Sequence, residues 1–118
     1  MSLKELAEKN THVVGREYLK SGEIPSIVVY GKTLPEAWEQ AVLATLTFGT
    51  TIPTEYDQSV DPESRDSTMM IVVSNPLQEP RIHKALPCGY DDLEIYRQEV
   101  VNGVHDSNVR GRGWSYSY

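Results

Sequence analysis

A chain of 118 residues, 39% hydrophobic and 24% charged, is long enough to fold as one domain around a core of its own. Its formal net charge of -6 argues against a surface built for nucleic acid or an anionic membrane, since both need basic contacts. One cysteine excludes an internal disulfide, no apolar run approaches the roughly 20 residues of a membrane-spanning helix, and MSLKELAEKN lacks the apolar stretch of a secretory signal, so a cytoplasmic protein is the default.

Residues 2–10 read as a short helix, with Leu3 and Leu6 one turn apart, or as a disordered terminus. HVVGREYL (12–19) carries β-branched and aromatic residues and predicts a first strand, with Gly15 as a bulge. Ser21-Gly22 marks a turn, and SIVVY (26–30) predicts a second strand, so the two make a hairpin. Thr33-Leu34-Pro35-Glu36 is a capping box that opens a helix, and Gly49 closes it. Leu34, Ala37, Trp38, Ala41, Val42 and Leu46 recur at the spacing of one buried face, with Trp38 as core packing.

Residues 50–68 are polar, hold Pro53 and Pro62, and read as a long loop ending near Arg65. Met69 to Ser74 is apolar on both faces, which predicts a strand interior to a sheet. Asn75–Gly89 holds Pro76, Pro80 and Pro87 and cannot be one regular element. Asp91 is a plausible N-cap for a helix that runs to Asn102 and ends at Gly103. RGRGWSYSY alternates aromatics with serines at strand period and stops in mid-strand, which predicts that the chain is the front part of a longer protein. Together these elements predict an α+β fold, a mixed sheet packed on two main helices.

Candidate chemistry is sparse. Cys88 follows a proline and precedes a glycine, with no base beside it in sequence, so it reads as a bystander thiol. His12, His83, His105 and Cys88 match no metal-ligand spacing. Arg65 suits a planar, two-point grip on phosphate, and equally a solvated loop position. Glu99 stands at the border of the Tyr96–Val100 helix face, where a carboxylate acts as acid or base if half-buried and as an ordinary surface group if not.

The strings TEYD (54–57), SRD (64–66), NPLQEPRIH (75–83), YRQEVVNGVHD (96–106) and WSYSY (114–118), in that order, resemble the amino-terminal part of thymidylate synthase and the related pyrimidine-nucleotide hydroxymethylases, in their divergent, archaeal-type branch. The resemblance runs from about Leu34 to the end of the chain. It implies a thymidylate synthase-like α+β fold, here truncated, and a homodimer built on a sheet face. It also implies transfer of a one-carbon unit from 5,10-methylenetetrahydrofolate to C5 of a pyrimidine nucleotide such as dUMP. Arg65 falls where the family grips the nucleotide phosphate. The helix Asp91–Asn102 falls where the family carries its catalytic glutamate; Glu99 is the candidate, although counting back from Gly103 lands on Tyr96. The family's nucleophilic cysteine belongs to its later half, and Cys88 does not match it. By itself the 118-residue chain is therefore expected not to turn over. The alternative expectations are a non-catalytic dimerisation or nucleotide-binding module that keeps half of the fold, and hydroxymethyl rather than methyl transfer.

Overall fold

A buried strand beside a capped helix organises the first part of the molecule. The computed structural model describes residues 2–53, 59–60 and 62–117, and divides into one unit up to His83 and a second from Lys84 onward. The first unit runs α1 (Leu3–Glu8), β1 (Thr11–Val13), β2 (Ser26–Gly31), α2 (Leu34–Phe48), β3 (Thr50–Ile52), β4 (Ser64–Asp66) and β5 (Thr68–Val73). A three-stranded sheet has the order β1-β2-β5, with β1 antiparallel and β5 parallel to β2. The sheet is mixed and the fold is α+β, as the pattern predicts. Parallel pairing of β2 with β5 requires a crossover, and α2 with the β3–β4 hairpin supplies it.

α2 forms because its start is doubly capped. Thr33 Oγ1 accepts from the Glu36 amide at 3.3 Å, and Glu36 Oε2 accepts from the amides of Thr33 at 3.4 Å and Lys32 at 3.0 Å. Gly31 sits so close to Ala37 that any side chain there would strike the Ala37 backbone. The core lies between α2 and the sheet. Val13, Ile27, Val29 and Ala44 are buried, with Ala41, Phe48 and Met69 packed around them. The six-residue α1 is too short to persist alone. It is held by the burial of Ala7 and by Gln40 of α2, whose amide donates to the carbonyls of Leu6 (3.2 Å) and Ala7 (2.7 Å) and to Thr11 Oγ1 (2.8 Å).

Several expectations are corrected. The expected strand 12–19 stops at Val13, because Gly15 takes a left-handed φ of 60° and starts a 3-10 turn at Arg16–Tyr18 rather than a bulge. Residues 50–68 are not all loop: Thr50–Ile52 and Ser64–Asp66 pair as an antiparallel hairpin, with Thr51 opposite Arg65. β5 is an edge strand rather than an interior one. Its apolar residues on both faces show what the strand could bury, yet Met70 and Ile71 remain exposed here, while β2 takes the centre. α2 buries Ala37, Gln40 and Ala44, whereas Leu34, Trp38, Val42 and Leu46 form an exposed apolar stripe at four-residue spacing. The small side chains let the helix lie close to β2, and that leaves the large ones outside.

The second unit holds α3 (Tyr90–Asn102) and α4 (Asp106–Gly111). α3 is capped two residues earlier than expected. Gly89 is its N-cap, and the Asp92 carboxylate accepts from the Gly89 amide at 2.8 Å, so Asp92 rather than Asp91 closes the end. Residues 114–117 are not a strand; α4 and a turn occupy the approach to them. Among the described residues no helix is long and apolar enough to cross a membrane.

Candidate functional site

β4 carries Arg65 to the rim of a cleft of about 660 Å³. One wall is the outer side of α2, with Trp38, Ala41, Val42, Thr45 and Leu46; the other is Pro62, Glu63, Ser64 and Arg65. The wall is apolar because α2 turns its small residues to the sheet and its large ones here. Arg65 is exposed, and among the described residues its guanidinium makes no ion pair or hydrogen bond. A free guanidinium at the edge of an apolar, tryptophan-walled cleft can hold an anion whose uncharged part is flat. Glu63 is the opposing charge on that rim and would weaken the hold on a phosphate.

Trp38 does not pack in the core, as its spacing had predicted. It is 41% exposed, and its ring centroid lies 4.8 Å from that of His83. His83 Nε2 is 3.3 Å from Glu39 Oε2, so α2 holds the end of the proline-rich loop through two adjacent residues. Arg81 pairs with Glu79 at 2.7 Å within that loop. The basic character of residues 81–84 is thus partly spent on neighbouring carboxylates.

In the second unit Glu99 is half-buried, as a working carboxylate requires, with 20% of its side chain exposed. Gly103 ends α3 with a left-handed φ of 62°, and its amide donates to the Glu99 carbonyl at 3.2 Å. The chain thereby folds back, and His105 Nδ1 reaches Glu99 Oε1 at 2.7 Å. Trp114 meets the His105 ring edge-on at a centroid distance of 5.4 Å. Reading by residue type missed this cluster. The signal was present in the glycine two residues before His105, because a left-handed C-cap returns the chain to the last helical turn. Nearby, the Arg97 guanidinium bonds the Glu94 carboxylate at 2.7 and 2.9 Å and, with Gln98, holds its pKa down to about 2. That group is fully committed to a surface pair.

Arg65 therefore lies in the first unit and Glu99 in the second. Cys88 is exposed. Among the described residues no three His, Cys, Asp or Glu side chains are grouped to hold a metal ion. TEYD (54–57) lies outside the described residues. No family model matches the chain, and neither a curated protein nor a solved structure does.

Proposed function

We propose that this chain is the amino-terminal part of a thymidylate synthase-like enzyme and contributes to binding a pyrimidine nucleotide. The observation that carries the reading is the uncommitted Arg65 at the rim of the Trp38-walled cleft. A nucleotide offers the two chemistries such a cleft recognises, a phosphate for the guanidinium and a flat ring for the apolar wall. Arg65 holds the phosphate, and Glu99, half-buried on α3, handles a proton. The one-carbon unit comes from 5,10-methylenetetrahydrofolate when that donor is bound.

NMR shift mapping with dUMP tests the reading. The amides of Ser64, Arg65, Thr45 and Trp38 should move together and saturably. Shifts elsewhere only, or none, would count against it.

The second reading is a non-catalytic dimerisation module. The exposed apolar surface favours it: Leu46 is 57% and Met70 64% exposed. Light scattering together with the dUMP titration separates the two. A dimer that binds no nucleotide supports the module, and a nucleotide-binding chain of any size supports the enzyme part.

A further inference from the structure

Trp38 is both a wall of the Arg65 cleft and the ring against which His83 packs. On the outside of a helix a long or aromatic side chain has two open χ1 rotamers, and a neighbour from beyond the helix selects one. His83 is such a neighbour. Its ring centroid lies 4.8 Å from that of the indole at an interplanar angle of 54°, a favourable tilted contact. The imidazole is itself held. An ionised carboxylate can only accept, so Nε2–H donates to Glu39 Oε2 across 3.3 Å, and 12% of the His83 side chain is exposed. The loop that carries His83 is also tied at its far end. There the Asn75 amide donates to the Lys32 carbonyl at 2.8 Å, just ahead of α2, and the Asn75 side chain donates to Gln78 Oε1 at 2.9 Å.

We propose that His83 is a positioning residue of the cleft: it fixes the Trp38 ring so that a flat ligand ring meets a wall already in place, while Glu39 orients the imidazole. The described residues that line the cleft include Trp38 and not His83, so His83 acts through the indole. The rotamer freedom of Trp38 is then lost on folding rather than on binding, which favours any ligand that stacks on it. The phosphate grip of Arg65, on β4, gains nothing from this. The identity of the stacking ring as a pyrimidine base rests on the preceding reading. The ordering of Trp38 by His83 stands on geometry alone, and one arm of its test needs no nucleotide.

The first arm compares dUMP with deoxyribose 5-phosphate, which keeps the phosphate and lacks the base. In NMR titrations His83→Ala should weaken dUMP by about two- to tenfold, the affinity equivalent of ordering one large side chain, and leave deoxyribose 5-phosphate unchanged. His83→Phe keeps a ring against Trp38 and should restore most of the affinity. Equal weakening of both ligands, no weakening of dUMP, or no recovery in His83→Phe would each overturn the proposal. The second arm uses no ligand. The heteronuclear NOE of the Trp38 indole N–H, which reports fast ring motion, should fall in His83→Ala. An indole as ordered in that variant as in the unsubstituted chain would overturn the proposal by itself. If instead the indole loosens while dUMP fails to bind the unsubstituted chain, the nucleotide reading falls and the positioning of Trp38 by His83 stands.

Discussion

Gln40→Leu is the sharpest test of how the first unit is held together. Gln40 is 8% exposed, and its amide serves three acceptors on two other elements. Leucine fills a similar volume but donates nothing, so packing is roughly kept while the carbonyls of Leu6 and Ala7 lose their partner. A buried acceptor left unsatisfied costs about 1–3 kcal/mol. Water can reach the part-buried Leu6 carbonyl, so the Ala7 carbonyl dominates, and the expected loss is about 2–3 kcal/mol. Against the 5–15 kcal/mol typical of a domain that is a large fraction. Urea denaturation followed by circular dichroism should show a lower midpoint with an unchanged slope. Amide exchange of α1 should accelerate more than that of β2, because α1 has little else to hold it. Gln40→Glu should be worse than leucine at neutral pH, since a carboxylate would face two carbonyls, and should recover partly in acid. A loss below about 0.5 kcal/mol for Gln40→Leu, the range of ordinary surface substitutions, would refute the reasoning.

Other substitutions probe other links. Thr33→Ala removes the acceptor for the Glu36 amide and should cost about 1 kcal/mol by the same urea assay. Gly103→Ala forces a methyl into a left-handed position and against Asp106, so a loss of about 1–2 kcal/mol from the backbone alone is expected, together with loss of the His105–Glu99 contact in ring-nitrogen NMR. Glu94 has a pKa depressed from 4.5 to about 2, so what its pair with Arg97 contributes is present above 4.5 and disappears as the pH falls toward 2. Glu94→Gln should flatten the acid titration of α3 helicity in that window, and added salt should shrink the difference, since both side chains are exposed to solvent.

The parts of the fold legible in the sequence are those fixed by local chemistry. The Thr33–Glu36 capping box, Gly49 and Gly103 bound their helices nearly where expected, because a cap is specified by a few neighbouring residues. What misled was periodicity read without knowledge of the partner. The α2 pattern holds two apolar faces, and the larger residues drew attention away from Ala37 and Ala44, which face the sheet. The run at Met69–Val73 shows apolar side chains on both faces but not what lies beside them, and β5 proves to be an edge. Trp114 and Tyr116 alternate with small residues, yet Gly111 ends a short helix, Gly113 follows it, and no strand forms. For the sites, Arg65 and Glu99 were visible as residue types. The Trp38 wall and the His105 partner were not, since both depend on which side of a helix faces outward and on a chain reversal.

The central claim is that Arg65 grips the phosphate of a pyrimidine nucleotide, and isothermal calorimetry of the chain with dUMP, with deoxyuridine and with the Arg65→Ala variant tests it most directly. A charge-assisted hydrogen bond contributes about 1.5–3 kcal/mol, so dUMP should bind at least about tenfold more tightly than deoxyuridine, and Arg65→Ala should remove that preference. Failure of dUMP to bind, or a preference for dUMP that survives Arg65→Ala, would contradict the account.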